Sequence, residues 1–438
     1  MQLLVYTQQT TSRVNYIFST LLQAAGVTGF VITNDEKFYC GFKDAKINYS
    51  SSAISEREVW IAPVSLLFEK DIKHQSIEVF LWKEQAAFYK SPGKDFPFDI
   101  FAASFYLLSR YEEYLPHSLD VYGRYAHENS LAFKEGFLQL PLINLWLQEL
   151  KKILQQTFPS LRLKPFAFAY LPTYDIDIAW SYLNKGWLRN AGGFVRSMVN
   201  GQWAMVKERV RVLQHQQKDP FDSYDWLDHL HKTYNMQPLY FFLLAGKSKG
   251  YDKNISPANS SYAQLIKRHA RTYQTGIHPS WQSGDDNKLL KREILSLESI
   301  CGKQISKSRQ HYIRMKLPDT YRRLIEAGIT EDYSMGYGSI NGFRASYCLP
   351  YKWFDLEKNT PTSLSVYPFC YMEANSFYEQ KYSSNKALEE MEHYYEVTKK
   401  VNGLLITIWH NHFLGTDEMF AGWKEVYEEF IRRHYINT

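Results

Sequence analysis

Where apolar runs of this sequence give way to polar loops, ionisable side chains recur. Asp175 and Asp177 stand in "TYDID", His278 in "TGIHP", Arg309 and His311 in "SRQHY", Glu331 and Asp332 in "ITEDY", and His410 and His412 in "IWHNH". Carboxylate with imidazoles is the donor set for Zn²⁺ or another borderline divalent ion that keeps an open position for water. Acids at i and i+2 of a strand share a face, so Asp175 and Asp177 would project together. A single histidine at a strand end is more often a hydrogen-bonded structural residue than a ligand. Several such charges on one face are harder to explain that way, because burying them without mutual compensation is costly. The chain has no phosphate-gripping glycine loop in a strand-to-helix setting and no G-x-S-x-G elbow, which leaves metal-assisted hydrolysis rather than nucleotide binding or serine esterase chemistry.

The elements that must position these residues form a repeating pattern from about Lys164 onward. Apolar runs "FAFAYLPTYDID", "QPLYFFLLAG", "YQTGIHPSW", "ISKSRQHYI", "ITEDYSMGY", "LSVYPFCYMEA" and "GLLITIWHNH" alternate with amphipathic helices such as "DSYDWLDHLHKTYN" and "NKALEEMEHYYEVTKKV". Strand alternating with helix predicts parallel β/α units with right-handed crossovers. About seven units predict a barrel or a nearly closed one, with chemistry at the C-terminal ends of its strands, where the ionisable residues fall.

Ahead of this lies a different organisation. Residues 1–95 alternate short strands ("QLLVYT", "GFVIT", "AKINYS", "EVWIAP") with one helix, "SRVNYIFSTLLQAAG", ended by Gly26; they predict a small α/β domain. "SPGKDFPFD" marks a boundary. Residues 96–163 are then helical, with "DIFAASFYLLSRYEEYL" and "LPLINLWLQELKKILQQTF" as bracing elements, and 164–438 make the barrel.

Of the 438 residues, 45% are hydrophobic and 16% aromatic, a composition of folded rather than disordered chains. The net charge of +5 comes from Lys and Arg interleaved with acids, so nucleic-acid binding is not expected. Cys40, Cys301, Cys348 and Cys370 lack metal or disulfide spacing and read as reduced thiols. No basic leader precedes a long apolar stretch and no window reaches the length of a membrane span, so the expected setting is the cytoplasm.

The order of motifs resembles the polysaccharide deacetylases of carbohydrate esterase family 4, whose fold is a distorted (β/α)7 barrel. "TYDID" is similar to that family's T-F-D-D, with one residue inserted between the acids. The resemblance implies Asp175 as general base and Asp177 as metal ligand. "GIHPSWQS" keeps His278 of the family's H-[ST]-x-x-H-P but carries Gln282 where the second histidine stands. "SRQHYI" resembles R-x-P-Y: Arg309 would orient the base and keep it ionised, Tyr312 would line the oxyanion site, and His311, in the place of proline, would complete the ligand set. "ITEDYSMGY" and "GFRAS" place Asp332 and Arg344 near the substrate. "IWH" resembles L-x-H and makes His410 the general acid, with His412 as the competing choice. The N-terminal part resembles an extension carried by some bacterial deacetylase-like proteins.

What the resemblance implies is a metal-dependent hydrolase, with zinc the first choice of metal, that deacetylates an N-acetylated sugar or a related small amide. Trp180, Trp281 and Trp409 would wall the substrate or serve as packing. The competing expectation is a barrel without turnover that binds a glycan or a protein partner.

Overall fold

The computed structural model describes residues 3–435. Gln2, the first residue of the expected strand "QLLVYT", lies outside them. Strands β1 (Leu3–Thr7), β2 (Phe30–Thr33), β3 (Lys46–Tyr49) and β4 (Val59–Trp60) form a parallel sheet in the order β2-β1-β3-β4. The helix Ser12–Ala24 follows β1, capped where Thr11 Oγ1 accepts the Val14 N–H. Gly26 ends this segment at φ +87°, and a Cβ there would lie 2.6 Å from the Lys164 backbone, so glycine is what lets the two segments touch. A short hairpin of β5 (Phe80–Trp82) and β6 (Gln85–Ala87) completes this part.

The helix Ile100–Leu108 is buried at every residue, which fits a segment apolar on all sides. Asp99 caps it from inside the core, accepting the Phe101 and Ala102 N–H groups and the Tyr49 hydroxyl. Phe101 stacks on Phe18 with ring centroids 3.8 Å apart. Just beyond the helix, Arg110 and Arg344 converge on Glu113, which accepts from Arg110 Nε at 2.7 Å and from Arg344 Nε and Nη2 at 2.8 and 2.6 Å. All three groups are buried. Burial alone would raise the Glu113 carboxyl's pKa, but the two guanidinium groups hold it down at about 2. Removing one partner of such a cluster strands the others, so Glu113→Ala is expected to cost about 3–5 kcal/mol of stability, measured by denaturant unfolding.

The large sheet contains β7 (Ala169–Ile176), β8 (Leu239–Leu243), β9 (Gln274–His278), β10 (Lys307–Ser308), β11 (Glu331–Asp332), β12 (Tyr351–Asp355), β13 (Thr360–Val366), β14 (Tyr371–Met372) and β15 (Leu404–His410). Their order is β12-β13-β11-β10-β9-β8-β7-β15-β14. All neighbours are parallel except the β12–β13 hairpin at the edge. The architecture is thus a large mixed sheet with flanking helices, as the alternation of strand and helix predicts. The ladder is linear rather than circular. The expected strand "LSVYPFCYMEA" is divided by Pro368, which cannot donate to a ladder. Before it, the Ser365 and Tyr367 N–H groups reach the Thr330 and Asp332 carbonyls at 2.9 and 2.8 Å; after it, β14 pairs with β15.

Gly276 in β9 marks a close approach: a Cβ there would meet the Phe241 ring at 2.5 Å. That ring packs beneath the Arg309 guanidinium, 4.5 Å from its centroid, so the missing side chain helps place Arg309. Among the described residues no helix is long and apolar enough to cross a membrane.

Candidate metal centre

Parallel register delivers the first pair of groups. Asp175 near the end of β7 lies opposite His410 at the end of β15, and Asp177 follows one residue beyond β7. His278 closes β9, and His311 opens the single turn that follows β10. Donor atoms of Asp177, His278 and His311 all lie within 4.8 Å of one another. Asp177 Oδ1 is 3.2 Å from His278 Nε2, and its Oδ2 is 3.4 Å from His311 Nε2.

The far nitrogens of both rings are already engaged. His278 Nδ1 lies 2.5 Å from the Arg309 carbonyl, and His311 Nδ1 lies 2.9 Å from Asp252 Oδ1. With Nδ1–H donated to the carbonyl, His278 turns a lone pair on Nε2 toward Asp177 Oδ1, a buried oxygen without a hydrogen-bond partner of its own. Two acceptors facing each other call for a cation between them. The residues present therefore fit a divalent ion: one carboxylate and two imidazoles, each ring oriented from behind.

Asp252 is a member of this site that the strand-end pattern does not single out. It sits in the loop after β8, well past the strand's end. The Trp281 N–H donates to its Oδ1 at 2.8 Å and Gln282 Nε2 to its Oδ2 at 3.1 Å. Gln282, in the place expected of a second histidine, thus supports the carboxylate that orients His311.

Asp175 is buried and accepts from Arg309 Nη1 at 2.9 Å through Oδ1. Arg309 is held in turn by the Thr173 hydroxyl and the Tyr333 carbonyl, while Asp175 Oδ2 points toward His278 Nε2, 3.8 Å away. His410 Nδ1 lies 2.7 Å from Glu373 Oε1, which also accepts the His410 backbone N–H at 2.6 Å. Its Nε2 is 3.5 Å from Asp177 Oδ2. Glu373, at the end of the run "LSVYPFCYMEA", is a further strand-end acid of this site that the sequence pattern does not single out.

Charge decides between the two C-terminal histidines. Burial would lower the His410 pKa, but Glu373 and Asp177 outweigh it and push it up to about 10. Burial against Phe221, Phe413 and Phe420, with the His410 charge adding to it, lowers His412 to about 3. His410 is the proton-carrying member at neutral pH, and His412 is neutral.

A cavity of about 650 Å³ opens onto this cluster, lined by Asp175, Asp177, His278, His311, His410 and Tyr312 among others. Tyr122 and Arg124, from the region ahead of the large sheet, also line it, and Arg124 Nη1 donates to the Tyr312 carbonyl at 2.7 Å. Tyr312 and Ile313 both have φ above +50°. Strain of this kind persists only where the surroundings impose it, and the Arg124 bond is one such restraint.

Four side chains expected to contact substrate are not part of the cavity wall. Arg344 is buried on Glu113, and Asp332 is buried under the Ser308 and Ser334 hydroxyls. Trp180 packs edge-on against Tyr224, and Trp281 lies against Tyr251 with centroids 4.2 Å apart. Trp409 is likewise core, beside Tyr427. Arg344 and Asp332 are thus engaged inside the protein and the rings of Trp180 and Trp409 are buried, whereas Trp281 is half-buried behind Tyr251. The remaining strand-end acid, Glu331, is occupied by Lys307 and the Tyr333 hydroxyl.

Burial would lower the His311 pKa, yet Asp177, then Asp252, push it up to about 9. Asp177 is correspondingly held well below the ordinary carboxylate range: burial opposes this, but the charges of His311 and His410 prevail. A ligand imidazole must be deprotonated, so an ion held by this cluster would displace the His311 proton. Apparent zinc affinity is therefore expected to rise about tenfold per pH unit up to about pH 9, with a proton released, which titration calorimetry in buffers of different ionisation enthalpy would measure. In the metal-free chain the sign is reversed. The raised His311 pKa stabilises the fold fully below 6.5, and that contribution is lost as pH rises through about 9.

Comparison with known proteins gives the following. A family model described as a family of unknown function, DUF7033, matches residues 3–159. Curated proteins give no match. Among solved structures there is distant similarity to a candidate polysaccharide deacetylase from Mycobacterium smegmatis (16% identity, TM-score 0.40, covering 62% of this chain and 85% of that one). A probable polysaccharide deacetylase from Pseudomonas aeruginosa PAO1 is similar at 13% identity and TM-score 0.38, covering 61% and 84%. A polysaccharide deacetylase from Bacillus cereus is similar at 10% identity and TM-score 0.31, covering 61% and 88%.

Proposed function

We propose that this chain is a metal-dependent hydrolase that removes an acyl group, acetyl first, from an N-acylated sugar or a related small amide. The observation that carries the reading is the convergence of Asp177, His278 and His311 beside a buried Asp175 and the Glu373-paired His410 at one cavity. Asp177, His278 and His311 would hold the ion, and their one-carboxylate, two-imidazole set suits zinc. When bound, a divalent ion supplies positive charge that polarises a carbonyl and acidifies water.

The rest is done by the chain. Asp175, fixed by Arg309 through one oxygen, has its other oxygen on the cavity side to take a proton from water. His410, kept charged and oriented by Glu373, gives its proton to the departing amine. Tyr312 sits at the opening, where its neighbourhood can receive the substrate's developing oxyanion. Four unpaired cysteines support a reducing, cytoplasmic setting for this chemistry.

The test is metal content together with acyl release. Protein purified without added metal is expected to carry about one divalent ion per chain and to release acetate from a panel of N-acetylated amino sugars and anilides. Chelation should abolish release, and zinc should restore it. Protein that binds zinc at micromolar level or tighter but releases no acyl group would instead favour a glycan-binding barrel; protein that binds no divalent ion sinks the proposal.

A further inference from the structure

Between β7 and β8 the chain inserts two helices, Trp187–Val199 and Trp203–Leu213, that the sequence reading did not anticipate. The amphipathicity of the first is inverted, whereas the second buries Val206 and Val212 while leaving Trp203, Met205, Val210 and Leu213 exposed. The inward side of the first carries Ser197, Asn190 and Gly193, and at Gly193 a Cβ would collide with the Arg209 guanidinium at 2.3 Å. The outward side carries Trp187, Leu188, Val195, Met198 and Val199, with Trp187 77%, Leu188 68% and Val199 82% exposed. A helix of a folded protein ordinarily turns its apolar stripe inward, and a contiguous exposed one marks an interaction surface.

Charge identifies the partner. From residue 181 to 218 there are seven Lys and Arg but one acid, Glu208. Arg189, Arg196, Lys207 and Arg211 are exposed and have no carboxylate partner among the described residues. On the helical wheel, Arg189 and Arg196 lie together along one edge of the apolar stripe. Packed antiparallel on a second copy, that edge would set cations against cations. A bilayer with anionic headgroups neutralises them while accepting the tryptophan and aliphatic side chains, which is the pattern of helices that lie in a membrane interface.

We infer that Trp187–Leu213 seats this protein on an anionic membrane surface. The hairpin is anchored firmly enough to serve as a base: the Asp219 carboxylate accepts the Ser181, Tyr182 and Leu183 N–H groups, and Asn259 Nδ2 donates to the Asn184 carbonyl at 3.3 Å. It also begins close to the metal centre, since Ile178 in the same connection lines the cavity. This inference does not depend on the hydrolytic reading.

Co-sedimentation of the full chain with vesicles tests it. Vesicles of phosphatidylcholine with about one-third phosphatidylglycerol are expected to bind it at least about tenfold better than phosphatidylcholine alone, and salt should release it. Leu188→Glu with Val199→Glu should lower binding at least about tenfold, and Arg189→Gln with Arg196→Gln about fivefold per charge removed. These residues are exposed, so circular dichroism and melting should match the parent. Absence of a preference for the anionic vesicles, or unchanged binding by the Glu variant, overturns the inference. So does a wild-type dimer that the Glu variant turns into a monomer, because the face is then covered by a second copy.

Discussion

Asp175→Asn is expected to lower acyl release roughly 100- to 10,000-fold, the usual contribution of a positioned general base, while metal content stays at the parent level. The geometry separates the two effects. Asp175 faces Arg309, itself held by the Thr173 hydroxyl, on one side and the His278 ring on the other, and it is not one of the three side chains whose donor atoms cluster for an ion. Asparagine keeps the shape and can still accept the Arg309 bond through its carbonyl oxygen, but its amide cannot take a proton from water. It leaves the Arg309 guanidinium without its counter-charge, so some stability should be lost as well. Metal analysis, a melting curve and an acetate assay on the same sample separate these consequences. Release within tenfold of the parent rules out Asp175 as the base and would move attention to a different proton acceptor.

Groups that declare themselves by position along one strand were legible in the sequence. Asp175, Asp177, His278 and His410 lie at or beside the ends of apolar runs, and the alternation of strand and helix brings such ends to one edge. What was hidden depends on partners far away in the chain. Arg344 looks like a free cation beside a motif, but it is matched by Glu113, 231 positions earlier, and so becomes a strut between the helical region and the large sheet. Asp252 and Glu373 act by holding His311 and His410, and neither contact follows any local period. The first inserted helix is masked for a local reason: Gly192 and Gly193 in mid-segment argue against helix, and Gly193 is tolerated because the Arg209 side chain packs over it. The β12–β13 hairpin escaped because its first strand breaks the parallel alternation that organised the reading.

The second large effect is a graded loss of metal binding. On the proposed ligand set, His311→Ala takes away one of three candidate side-chain ligands and should weaken zinc binding by more than about 100-fold, beyond the roughly 10- to 100-fold typical of groups that support a ligand from behind. Asp252→Asn should fall within that lower range, since an amide oxygen can still receive the His311 Nδ1–H but without charge. Gln282→Ala should cost least, because Asp252 would keep the Trp281 N–H and the His311 ring. The order distinguishes this centre from one in which His311 is a spectator. If position 282 itself carried the third ligand, Gln282→Ala would be the most damaging change and His311→Ala nearly silent. Gln282→His sharpens the contrast: with His311 as ligand, a histidine at 282 withdraws the amide donor from Asp252 and should weaken zinc or leave it unchanged. Tighter zinc binding in that variant would mean that the ion sits nearer residue 282 than the cluster of Asp177, His278 and His311 allows.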